Sequence, residues 1–115
     1  MADLEKLGRD EEALSSYDNA LKLNPTDAEA LNVYAWMLID KDIDVDKGIE
    51  RVKEALELSP DNSNFEDTLA WGFYKKGRHQ EALELLQQAA HRHPDNEDIK
   101  QHLAEVKDKL TQALE

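Results

Sequence analysis

The feature that most constrains this chain is the spacing of its three prolines. Pro25, Pro60 and Pro94 stand 35 and 34 residues apart, and each follows an apolar segment with helical periodicity. Proline lacks an amide N–H and clashes with the preceding turn, so each one stops a helix. A second signal has the same period: Leu7-Gly8-Arg9-Asp10-Glu11-Glu12-Ala13-Leu14 is echoed 69 residues later by Lys76-Gly77-Arg78-His79-Gln80-Glu81-Ala82-Leu83, with a more divergent copy between them. Such spacing marks a repeated supersecondary unit. Within each unit a small residue stands twelve places before the proline (Ala13, Gly48, Ala82), a larger one eight before (Tyr17, Val52, Leu86) and alanine five before (Ala20, Ala55, Ala89). Small side chains let two helices close together, and the larger one fills the gap beside them.

Between these stops the sequence favours helix throughout. Apolar residues make up 40% and charged residues 35% of the 115, with only four glycines, and strand signals are sparse. The expected fold is all-α, with helices near 10–24, 27–40, 46–58, 64–76, 79–92 and 96–114. Thr26 with Glu29, and Ser63 with Glu66, have the spacing of capping boxes. A chain of this length forms one domain that buries about 65% of its unfolded surface. Its longest apolar run, Val33 to Ile39, falls far short of the roughly 20 residues that cross a bilayer, and no charged-then-apolar leader opens it. The expectation is a soluble protein, cytoplasmic by default.

These residues resemble the tetratricopeptide repeat family, whose unit is a helix, a turn and a second helix over about 34 residues. The resemblance covers nearly the whole chain and implies antiparallel helical hairpins stacked into an α-solenoid, a fragment of an array of the bacterial type. It divides the chain into a truncated repeat one (1–27), repeat two (28–62), repeat three (63–96) and a capping helix (97–115). In the family the first helix of a repeat carries apolar or small residues at its fourth, seventh, eighth and eleventh positions. Leu31, Tyr34, Ala35 and Leu38 fill them in repeat two; repeat three has Leu69, Ala70 and Phe73 but Glu66 at the fourth place, with Phe65 one step earlier as compensation. Repeat one lacks most of its first helix, so the chain is expected to begin inside a longer array. Leu14, Tyr17 and Leu21 then lack their usual partner, which makes self-association or a structural role within the array the alternative function.

At about 100° per residue, the ninth position of a first helix lies about 150° from the mean of the four packing positions. Trp36 and Trp71 both occupy it, in matching Ala-Trp pairs. The resemblance implies that this outward face lines a concave, peptide-binding surface. Its candidate residues are Asn32, Val33, Trp36 and Ile39 from repeat two, and Asp67, Thr68, Trp71, Tyr74 and Lys75 from repeat three. Gln101 and His102 continue the surface on the last helix, where Lys100 and Lys107 face water as in a cap. Family members that grip a C-terminal carboxylate use lysine, asparagine and arginine in the groove; the corresponding faces here offer Asn32 but also Glu29, Asp67 and Asp98. With 26 acidic and 14 basic residues the net charge is −12, so nucleic acid is repelled and a basic or apolar peptide is the favoured partner.

Other chemistry finds little support in the sequence. The run Asp40-Lys41-Asp42-Ile43-Asp44-Val45-Asp46 alternates carboxylates like a calcium loop, but has Val45 where the glycine belongs and Arg51 where the bidentate glutamate belongs. It reads as an acidic turn with one extra residue. His91 and His93 stand two apart and face different directions on a helix. There is no cysteine, no glycine-rich phosphate loop and no nucleophile–base set, so neither an enzyme nor a cofactor is expected.

Overall fold

The computed structural model describes the backbone of residues 4–114 and the side-chain environment of residues 9–112. Among the described residues six helices follow one another: α1 (Leu4–Leu23), α2 (Ala28–Asp40), α3 (Val45–Leu58), α4 (Ser63–Lys75), α5 (His79–Arg92) and α6 (Glu97–Leu114). Each proline acts as its spacing predicts, with α1, α3 and α5 ending two residues before Pro25, Pro60 and Pro94. The three ends are built alike. Asn24, Ser59 and His93 donate their amide N–H to the carbonyls of Ala20, Ala55 and Ala89, each at 2.9 Å. Three residues further on, Asp27, Asn62 and Asn96 accept the N–H groups of Ala30, Phe65 and Ile99 through their side-chain oxygens, at 3.1 to 3.2 Å.

The helix starts therefore correct the expected capping boxes. Thr26 instead donates to Asn24 Oδ1, and Ser63 is the first residue inside α4. The short Asx side chain two places after each proline reaches the orphan N–H groups of the first turn. Gly8 is a second correction: α1 runs through it without a turn. Gly77, in the same local motif, sits at φ 80° and reverses the chain from α4 into α5. Glycine is tolerated inside a helix at a cost of about 1 kcal/mol.

Two hairpins, α2 with α3 and α4 with α5, stack through α3 on α4, and α6 packs on both α4 and α5. The even-numbered helices touch one another in sequence, whereas among the described residues the backbones of α3 and α5 stand further apart. The even layer is therefore the inner side of the curve. The short axis of 23 Å is that of two helices side by side.

The expected packing positions hold: Leu31, Tyr34, Ala35, Leu38, Leu69, Ala70 and Phe73 are all buried, and Phe65 is 1% exposed. Closest approach occurs at Gly48, where a Cβ would stand 2.6 Å from Ile39 Cγ1 and 2.9 Å from the Ala35 carbonyl. Gly72 does the same against Ile49. Leu14, Tyr17 and Leu21 are half-buried, α1 packing on α2. On α6, Ile99 and Val106 are buried while Lys100 and Lys107 face water.

Glu66 does not cap its helix. Its carboxylate is 3% exposed and pairs through Oε2 with Arg92 of α5, while Oε1 is buried with no partner. Two outcomes are expected in urea denaturation. Gly48→Ala gains about 1 kcal/mol of helix propensity but forces overlap with a backbone carbonyl and a buried isoleucine, for a net loss of about 1–2 kcal/mol. Arg92→Ala strands the Glu66 carboxylate and costs about 2 kcal/mol, most of which returns when Glu66→Leu is added.

Candidate functional site

Because α2, α4 and α6 lie side by side, their inner-face side chains form a ladder, in which Trp36 and Trp71 stand in equivalent register and His102, about one helical turn short of it, reaches Trp71 from α6. Trp36, Trp71 and His102 are its rungs. The indole centroids are 6.5 Å apart at 25°, and the His102 ring stacks on Trp71 at 4.9 Å and 30°. Tyr74 covers the indole of Trp71 at 4.8 Å, nearly parallel, and itself meets His79 at 5.2 Å. Offset stacks of this kind add to the burial of apolar area. Both indoles stay half-buried, outside the core.

Beside the ladder runs an open groove of about 420 Å³. Asn32, Val33 and Trp36 line it from α2, Asn64, Asp67 and Thr68 from α4, and Asp98 and His102 from α6. His102 donates through Nδ1–H to Asp67 Oδ1 at 2.6 Å. This bond holds the imidazole pKa above its ordinary 6.5, against the opposing effect of burial; the Asp67, Glu105 and Asp98 charges act in the same direction as the bond. The Thr68 hydroxyl donates to the Asn64 carbonyl at 3.0 Å. Asn32 Oδ1 is buried and accepts no hydrogen bond.

One end of the ladder is anchored to the α2–α3 turn. Trp71 donates its indole N–H to Asp40 Oδ1 at 3.3 Å, and Lys75 reaches the Asp40 carbonyl at 3.4 Å and the Asp42 carboxylate at 3.2 Å. Lys76 pairs with Asp46 at 3.1 Å, as Lys41 pairs with Asp10 one repeat earlier. The acidic run thus has uses within the fold: Asp40, Asp42 and Asp46 meet groups of the next hairpin, and Asp44 caps α3 by accepting from Lys47 N–H. Asp42 adopts φ 53° in this four-residue turn, one residue longer than the turn at Gly77. His93 Nε2 lies 3.3 Å from the Asp61 carbonyl, and His91 is exposed.

Of the residues singled out in the sequence, Asn32, Val33, Trp36, Asp67, Thr68 and His102 come together around the groove, with Trp71, Tyr74 and Lys75 adjoining it. Gln101 is exposed on α6 and does not line the groove. Ile39 is a correction, because it is 0% exposed and packs where Gly48 and Gly72 leave room, inside the stack rather than on its surface. Asn64 is an addition that the pattern could have supplied, since it stands one helical turn before Thr68. The His102–Asp67 bond also had a signal, since the two residues are 35 apart, one repeat length.

That bond carries a pH dependence of stability. A histidine whose folded pKa exceeds its unfolded value contributes fully below the unfolded pKa, and the contribution is lost as pH rises through the folded one. The stability difference between the protein and its His102→Gln variant should therefore shrink as equilibrium unfolding is repeated from about pH 6 to about pH 9. A difference that stays constant would show that the ring is held by stacking alone.

Comparison with known proteins agrees with this architecture. The family model of the tetratricopeptide repeat matches residues 2–106. A TPR repeat-containing protein of Pseudomonas aeruginosa is 34% identical over 81 residues, which are 70% of this chain and 14% of that protein; the chain spans about a seventh of its curated relative. Among solved structures, the Sgt2 TPR domain of Aspergillus fumigatus superposes with a TM-score of 0.81 at 18% identity, over 95% of this chain and 73% of that one. The second TPR domain of human RPAP3, solved in complex with the HSP70 peptide SGPTIEEVD, superposes at 0.76 with 18% identity, over 89% and 84%. With a family match across nearly its whole length and the fold of these domains, the chain belongs to the tetratricopeptide repeat family.

Proposed function

We propose that this chain binds a protein or peptide segment along its inner curve, over the ladder of Trp36, Trp71 and His102. Tetratricopeptide domains are in general scaffolds for protein–protein interaction, and the RPAP3 domain of the same fold was solved with a peptide bound. The observation that carries the reading is the pair of half-exposed indoles set in register on adjacent inner helices, beside a groove of about 420 Å³. Covering one indole removes up to about 200 Å² from water, and central aromatic anchors commonly lose about 2 kcal/mol or more on truncation. We take the binding units to be repeats 28–62 and 63–96, with 1–27 and 97–115 flanking them.

The groove's chemistry differs from what an acidic peptide such as SGPTIEEVD asks for, because Asp67 and Asp98 stand in it and no lysine or arginine lines it. A basic or apolar segment is the partner that fits. Self-association is the second reading. It is supported by Leu23, 90% exposed, and by the groove of about 250 Å³ that Leu21, Pro25, Leu31 and Tyr34 help to line at the α1 end.

Tryptophan fluorescence tests the docking face. A ligand on the ladder should shift indole emission, and the Trp36→Ala, Trp71→Ala double variant should keep its helical circular dichroism while affinity drops by about 30-fold or more. Retained affinity in a folded double variant would remove the assigned site. Static light scattering across concentration tests the second reading, which a monomer at high concentration rules out.

A further inference from the structure

The groove is unevenly supplied with hydrogen-bonding groups. Its ring donor, His102 Nδ1–H, is already committed to Asp67, and the Thr68 hydroxyl is committed to the Asn64 carbonyl. Its acceptors are less fully used: Asn32 Oδ1 is buried with no donor, and Asp98 is exposed with no ion-pair partner among the described residues. The nearby cation Lys75 is engaged by Asp40 and Asp42.

Resting on the docking reading above, we infer that this groove takes the guanidinium or ammonium side chain of a basic peptide segment, and that His102 occupies the partner's place on Asp67 until the segment arrives. His102 is built like a surrogate for such a group. It is a flat ring stacked on an indole at 4.9 Å, with an N–H directed at a carboxylate, which is how an arginine binds an aromatic and an acid together. An incoming arginine finds Trp36, the Asp98 carboxylate and the Asn32 side chain around one cavity. Its methylene stem lies against Val33, which is 36% exposed. The net charge of −12 favours the same partner at long range.

The groups facing His102 set the sign of the pH response. From α4 these are Asp67 and Trp71, from α2 Trp36, and from α6 itself Asp98 and Glu105. A protonated His102 cancels part of the negative charge of Asp67 and Asp98, whereas a neutral one can still donate Nδ1–H to Asp67 but leaves that charge uncancelled. A basic segment is therefore held more tightly as pH rises through the histidine's elevated pKa, whereas an acidic one is held less tightly.

A random peptide display library, selected on the intact chain, supplies ligands whatever the natural partner is. Bound sequences should be enriched in arginine and lysine. A synthetic peptide copied from them should lose about tenfold in affinity when its basic residues become glutamine, and a comparable amount against Asp98→Asn. Its affinity should rise between about pH 6 and about pH 8, and His102→Gln should flatten that rise. Ladder-dependent binders without basic enrichment, or an Asp98→Asn protein that binds the basic peptide unchanged, would overturn this inference and leave the docking face standing. Binders that ignore the Trp36→Ala, Trp71→Ala change, or no binders at all, would overturn both.

Discussion

The architecture depends on how closely α2 and α4 can approach α3, and two missing side chains decide that distance. At Gly48 and Gly72 any Cβ would collide with a buried isoleucine, so α2, α3 and α4 meet with Ile39 and Ile49 wedged between them. Glycine inside a helix is unfavourable by about 1 kcal/mol, and the dense contact it permits offsets that loss. Once these helices are set at this spacing, the even-numbered helices lie edge to edge, and Trp36 and Trp71 come within stacking distance. The indole ladder is thus a by-product of a packing constraint on the other side of the same helices.

Charge is distributed to match. Acidic side chains at the α2–α3 turn are matched with lysines and an indole N–H of the following hairpin, which fixes the corner of the stack. Acidic side chains on α4 and α6 point into the groove, where a single histidine answers them. The first group joins one hairpin to the next, and the second lines the groove, with Asp67 held by His102.

Much of this was legible in the sequence because the repeat period fixes both helix ends and packing positions. Where it misled, one residue type had two compatible environments. Ile39 lies about 60° around its helix from Trp36 and about 90° from the core arc. Only the space above Gly48 and Gly72, invisible until the helices are assembled, draws it inward. Gly8 and Gly77 are each followed by arginine, yet α1 runs straight through Gly8 while Gly77, at φ 80°, reverses the chain from α4 into α5. Glu66 has the spacing of a capping residue, but Asn62 caps the helix and Arg92, 26 residues away, claims the carboxylate. The repeated Asp27, Asn62 and Asn96 caps share the proline period, so counting two places on from each proline locates them.

The turn between α2 and α3 gives the stack two kinds of stiffness. Mid-helix, the hairpins are locked by fully buried carbons that cannot slide without opening a void. At the corner they are joined by solvent-exposed ion pairs, which rearrange at small energetic cost. Bending is therefore easy about the corner and strongly resisted about the core. The trough beside Trp36 is thus bounded by a rigid apolar spine on one side and by an ionic corner that adjusts at small cost on the other.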